Sequence, residues 1–149
     1  MRIALAHAED WQQWRTLRLA ALAESPQAFG SRYAEWAQAD EARWRQRLSH
    51  GQNWIASLDE PCAMVSGMPA GEGVNLIGLW VAPQSRRRGL AAALLETVIA
   101  WAITTGAAQV ELEVKQRNHE ARRIYTRRGF TFSRRVEDED VLTLALRPA

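Results

Sequence analysis

The chain has little from which to build a covalent or metal scaffold. Its 149 residues include one cysteine, Cys62, and three histidines, His7, His50 and His119. One cysteine cannot close an internal disulfide, and the histidines are too dispersed for metal-ligand spacing. No run approaches the roughly twenty apolar residues a membrane-spanning helix needs. His7, Glu9 and Asp10 cut short the apolar start of the chain, so a signal peptide is not expected there. Neither sign of charge dominates: 19 Lys and Arg against 17 Asp and Glu leave a formal charge of +2, too mild for a polycation that coats nucleic acid. Repeats, low-complexity tracts and dividing linkers are also missing. These absences lead us to expect one domain over residues 1–149 in reducing, cytoplasmic surroundings, with no metal, membrane or nucleic-acid partner. Oligomeric state is not legible, and a homodimer stays open.

What is present is an ordinary globular balance, 47% apolar and 24% charged. Arg2 to Ala6 alternates weakly, as a first strand would. Asp10 is placed to cap a helix from Trp11 to about Glu24, ended by Ser25-Pro26. Asp40 starts a second helix to about Leu48, with Gly51 as its stop. Asn53 to Leu58, Cys62 to Met68 and Asn75 to Val81 read as strands, the last nearly devoid of polarity and therefore central. From Gly89 to Thr105, Leu90, Leu94, Leu95, Val98, Ile99 and Ala102 mark one helical face, with Gly106 as the stop. Val110, Leu112 and Val114 alternate with Glu111 and Glu113, a strand with one apolar face. Asn118 caps a short helix to Arg128, and Gly129 ends it. Phe130 to Arg134 and Val141 to Leu146 are two last strands, joined by the acidic turn Glu137-Asp138-Glu139-Asp140. Hairpins mixed with strand-helix-strand crossovers predict an α+β fold: a mixed, mostly antiparallel sheet of six to seven strands flanked by four helices.

The segment that carries chemistry is Leu79-Trp80-Val81-Ala82-Pro83-Gln84-Ser85-Arg86-Arg87-Arg88-Gly89-Leu90-Ala91. A strand ends, a basic loop follows and a long helix begins at a glycine. The first amides of that helix lack intrahelical acceptors and sit at the positive end of its dipole, which makes an anion site. Gly89 allows close approach to the backbone, and three arginines add charge-assisted donors. A pyrophosphate suits such a site, although the spacing is neither the P-loop nor the dinucleotide fingerprint. On its own the loop equally fits a solvated basic helix start.

The segment resembles the GNAT superfamily of acyl-CoA-dependent N-acetyltransferases. Val81-Ala82-Pro83 followed by Arg86-x-x-Gly89-x-Ala91 is similar to that family's Val-x-Pro and Gln/Arg-x-x-Gly-x-Gly/Ala signature. A second element follows at the family's usual distance: Asn118-x-x-Ala121-x-x-x-Tyr125-x-x-x-Gly129-Phe130. The resemblance implies an acetyl-CoA co-substrate and a primary amine acceptor, a small molecule or a protein N-terminus, joined by direct attack in a ternary complex. It implies that Arg86, Arg87, Arg88, Gly89, Leu90, Ala91 and Ala92 form the pyrophosphate loop, and that Leu79, Trp80 and Val81 flank the pantetheine arm. Leu79 and Val81 would pair with that arm like an added strand. The Leu79 amide would polarise the thioester carbonyl, and Asn118 would touch the cofactor. Tyr125 would protonate the departing thiolate; without the motif it reads as a core tyrosine.

The base departs from the commonest family pattern, because Asn75 stands where many members carry Glu. Glu113, Glu111, Glu72 and water through a short chain remain as bases, with Glu113 preferred because that position serves as base in the branch acting on a ribosomal protein's N-terminal alanine. A solvated strand glutamate is an equal reading of Glu113. For the acceptor, Phe29, Tyr33, Glu35 and Trp36 are the candidates, aromatics beside acids that suit a cationic amine; packing of helices onto the sheet is the plainer alternative. Two rivals to an enzyme are a catalytically idle acyl-CoA sensor and a nucleic-acid-binding module using the arginine pairs Arg122-Arg123, Arg127-Arg128 and Arg134-Arg135.

Overall fold

The computed structural model describes residues 1–24 and 33–146. The strands are β1 (Arg2–Leu5), β2 (Gln52–Ser57), β3 (Pro61–Ala70), β4 (Gly73–Val81), β5 (Gln109–Lys115), β6 (Thr131–Val136) and β7 (Glu139–Ala145). The helices are α1 (Trp11–Glu24), α2 (Tyr33–Ala37), α3 (Glu41–Leu48), α4 (Leu90–Thr104) and α5 (His119–Arg128). The seven strands form one sheet in the order β1-β2-β3-β4-β5-β7-β6. Every neighbouring pair is antiparallel except β4–β5, which is parallel because α4 carries the chain back across the sheet between them. The expected mixed α+β architecture is therefore present, with α2 as a fifth helix among the described residues.

Strand β3 is buried on both faces from Cys62 to Gly67, so helices must cover it above and below. On one face Ser66 meets Arg47 of α3, and Trp14, Trp44 and Met64 are almost fully buried. On the other, α4 packs so closely that a Cβ at Gly67 would lie 2.6 Å from the Trp101 ring. Trp101 in turn meets Trp54 edge-on, ring centroids 5.7 Å apart. Cys62 is a buried strand residue.

A β-bulge in β4 sets the faces near the site. Ser66 lies opposite Ile77, but Met64 lies opposite Trp80, so β4 advances three residues while β3 advances two. Gly78, at φ +65°, takes the extra position. The slip turns Trp80 toward α1, where its Nε1–H donates to Glu24 Oε1 at 3.0 Å.

Two local expectations are corrected. Asp10 does not cap α1, because a 3-10 turn over Ala8–Asp10 precedes the helix and Asp10 Oδ2 accepts from the His7 amide at 2.8 Å. The acidic turn is shorter than its charges suggest: Glu139 and Asp140 belong to β7, and the left-handed residue is Glu137, at φ +58°. Glu139 and Asp140 each have a cation to meet. Lys115 Nζ lies 3.2 Å from Glu139, while Arg122 and Arg135 both grip Asp140, which is buried. Local sequence does not reveal such partners.

Gly67→Ala should destabilise the fold by roughly 1–3 kcal/mol, since a methyl group there must displace the Trp101 ring. Urea unfolding measures it, and adding Trp101→Ala should make the Gly67 change nearly silent.

Candidate active site

The site begins where pairing stops. Strands β4 and β5 pair only at Val74 with Val110 and Asn75 with Glu111. Beyond that point β4 stays bonded to β3 and β5 to β7, but their facing edges separate. Backbone donors and acceptors on those edges are left directed into the gap, a template for an extended ligand. The gap widens into a cleft of about 540 Å³ that reaches both faces of the sheet.

Ala121 and Tyr125 of α5 line one part of the cleft, beside Leu79 and Asn118. Tyr125 is buried against Phe130, ring centroids 5.9 Å apart. Burial pushes its phenol up to about 12. Asn118 Oδ1 caps α5 by accepting from the Ala121 amide at 3.2 Å, so the carbonyl end of that side chain is committed to the helix.

Glu111, Glu113 and Glu139 contribute a carboxylate wall, with Lys115 and Arg134 among them. Arg134 Nη2 donates to Glu111 Oε1 at 2.6 Å, and Lys115 is shared by Asp138 and Glu139. Glu113, exposed on its strand, meets another carboxylate: a hydrogen bond with Glu139, loss of some hydration and the charge of Glu139 together hold its carboxyl above the usual range, with Arg134 opposing. Glu139 was not a sequence candidate. The strand pairing of Lys115 with Glu139 is what carries it to the cleft.

Trp14 and Arg18 of α1, Trp36 of α2, and Trp44 and Arg47 of α3 build the opposite wall. Trp36 stacks between Arg43, 4.3 Å from its ring, and Trp44, 4.8 Å between centroids. Burial lowers the Arg47 guanidinium, and burial with the nearby Arg47 charge lowers Arg18 to about 10. Both arginines went unnoticed in the sequence, although each sits one turn from a tryptophan on a buried helix face, a cation in an apolar stripe. Trp36 lines the cleft, whereas Tyr33 and Glu35 are exposed and are not among the lining residues. Phe29 lies outside the described residues.

The basic loop sits apart from the lining residues, at the head of α4. Gly89 is the N-cap at φ +82°, no side chain caps the helix, and a Cβ there would meet nothing within 4 Å. The first helical bond runs from the Ala93 amide to the Gly89 carbonyl at 3.0 Å, so the amides of Leu90, Ala91 and Ala92 precede the hydrogen-bonded helix. Arg87, at φ +64°, turns the chain into this cradle. Arg88 is exposed beside it. Arg86 serves the fold as well: its Nε–H donates to the Val81 carbonyl at 3.0 Å, and its guanidinium pairs with Glu24. The Trp80 side chain is turned to Glu24 too, and its position opposite Met64 ties its backbone to β3, so Leu79 and Val81 are the residues whose backbone faces the gap.

The site of this mixed α+β fold is thus an open parallel seam, with an uncapped helix start after it and a tyrosine helix beside it. The acetyltransferase (GNAT) family model matches residues 7–130, and the chain belongs to that family. It is 37% identical over 65 residues to the uncharacterized N-acetyltransferase YafP of Escherichia coli K12; the match covers 43% of this chain and 41% of that protein. Two solved structures share the fold: PaiA N-acetyltransferase of Thermoplasma acidophilum in complex with coenzyme A, and a GNAT-family acetyltransferase of Streptococcus pneumoniae. The first aligns with TM-score 0.79 at 13% identity over 97% of this chain and 99% of that one. The second aligns with TM-score 0.81 at 18% identity over 98% and 99%.

The Asp140 knot under the site has a pH signature. Arg135, then Arg122, hold its carboxyl below the usual range, so its stabilisation is full above the unfolded carboxylate pKa, about 3.9, and fades as pH falls through the lower folded value. Asp140→Asn should therefore lower Tm at pH 7, with the gap from wild type closing below about pH 4 in thermal melts.

Proposed function

We propose that this protein transfers an acetyl group from acetyl-CoA to a primary amine by direct attack within a ternary complex. The observation that carries the reading is the β4–β5 seam: its parted edges lie between Tyr125 and the Glu113–Glu139 pair in a single cleft. The residues fit the co-substrate. The uncapped head of α4 and the unobstructed backbone at Gly89 suit a pyrophosphate, and the parted edges of Leu79 and Val81 suit an extended amide-bearing arm. A relative of the same fold was solved with coenzyme A.

Acetyl-CoA supplies the acetyl group as a thioester. The Leu79 amide orients the thioester carbonyl and stabilises charge developing on its oxygen. Glu113 takes a proton from the acceptor ammonium; a carboxyl raised by its neighbour Glu139 is a stronger base than an isolated one. Tyr125, held at about 12, keeps its proton at any working pH and offers it to the departing sulfur. Full transfer to a thiolate, whose acid lies near 8.5, is uphill from that value, so the phenol acts first as a hydrogen-bond donor.

Gly89→Val should weaken acetyl-CoA binding by more than tenfold, about 1.4 kcal/mol, by filling the phosphate approach. Calorimetry on the folded variant tests it, and unchanged affinity would move the phosphate site elsewhere. Tyr125→Phe should lower kcat by roughly a hundredfold with acetyl-CoA affinity nearly intact. The acidic limb of the pH–rate profile should stand above the ordinary carboxylate range. Glu139→Gln should shift that limb to lower pH, because it removes the charge that raises Glu113, and Glu113→Gln should flatten it. A parent-like profile in both variants would return the base to water.

A further inference from the structure

The wall opposite the glutamates has more positive charge than its packing role requires. Arg47 is half-buried and locked in place: Nη1 donates to Asn53 Oδ1 at 2.9 Å and Nη2 to Ser66 Oγ at 3.0 Å. Ser66 Oγ in turn donates to Asn53 Oδ1 at 2.6 Å, and Asn53 Nδ2 donates to the His50 carbonyl at 3.1 Å. The Trp14 ring lies 5.6 Å from the guanidinium carbon. All these partners are neutral, and among the described residues no carboxylate lies within ion-pair distance of Arg47. A guanidinium has five N–H donors, and among the described residues two are used. Holding α3 to the sheet would need only those two bonds, which a neutral amide could supply. The charge itself is left uncompensated in a site partly shielded from water, where an unpaired cation is costly.

Arg18 is a second guanidinium in this cleft. It lines the same wall, one of its terminal nitrogens reaches to 3.6 Å from the Cβ position of Gly78 at the bulge, and its charge opposes that of Arg47. Two like charges held in one cavity wall are the complement of an anion, and the planar fork of arginine matches a carboxylate. Across the cleft, Glu113 suits an ammonium, while Glu111 and Glu139 beside it are paired with Arg134 and Lys115.

We infer that the acceptor is a small amino acid, its carboxylate held by Arg47 and Arg18 and its amine directed to the Glu113 wall. This rests on the acetyl transfer proposed above and names the acceptor class for that cleft.

The test separates the two ideas. Protein saturated with CoA is titrated by calorimetry with the standard α-amino acids and with straight-chain ω-amino acids from β-alanine to 6-aminohexanoate, each against its primary amide. At least one acid should bind ten or more times tighter than its amide. Arg47→Gln should bring that ratio near one, and Arg47→Lys should keep part of it. Arg18→Gln should reduce the ratio too, and it decides the matter if the Arg47 variants fail to fold by circular dichroism. Turnover with acetyl-CoA is then read on the same pairs. Amines acetylated with no preference for acid over amide would overturn the carboxylate site and leave acetyl transfer standing. Carboxylate preference in binding without any acetylation would do the reverse. No acid binding better than its amide overturns the inference outright.

Discussion

Two residue pairs hold the parallel seam of this sheet together, Val74 with Val110 and Asn75 with Glu111, and most of the site follows from their being so few. Had β4 and β5 stayed paired along their length, every backbone group between them would be satisfied and no ligand strand could enter. Parting them exposes polar backbone that is costly to leave dry. The outer neighbours limit the damage, because β3 and β7 remain bonded to β4 and β5 nearly to their ends. The gap is thus a local opening in an otherwise closed ladder, and it is held open by rigid strands.

The bulge at Gly78 and the ion pairs around the site settle which groups face that opening. Gly78 turns Trp80 toward α1, where Glu24 receives both its indole N–H and the Arg86 guanidinium. Strand, basic loop and first helix are thereby tied at one carboxylate. On the far side, Arg122 and Arg135 share Asp140, Arg134 holds Glu111, and Arg128 meets Glu96. One or both arginines of each of the later pairs are spent within the fold, which removes the main attraction of a nucleic-acid reading. Arg86 to Arg88 differ, since Arg87 and Arg88 are exposed at the head of α4. The cleft between these anchors has carboxylates on β5 and β7, two of them paired with Arg134 and Lys115, and faces the cations of α1 and α3.

Much of this was legible in the chain itself. Helical and strand periodicities reproduce the elements to within a few residues, because one buried face imposes a period that local composition records. Val81-Ala82-Pro83, Arg86, Gly89 and Asn118 to Gly129 mark the cradle and the tyrosine helix, since a helix start needs particular residues at particular places. Tertiary structure alone decided the rest. Glu139 and Asp140 read as turn residues until Lys115 and Arg122, distant in sequence, and Arg135, across the β6–β7 hairpin, are brought beside them. Glu113 differs from any half-solvated strand glutamate only because register sets Glu139 near it. Arg18 and Arg47 belong to separate helices and become one charged wall only when α1 and α3 lie on the same face of β3. Periodicity reports which way a side chain points; what it points at is set by how strands pair and helices cross, and that is where the charge of this cleft was decided.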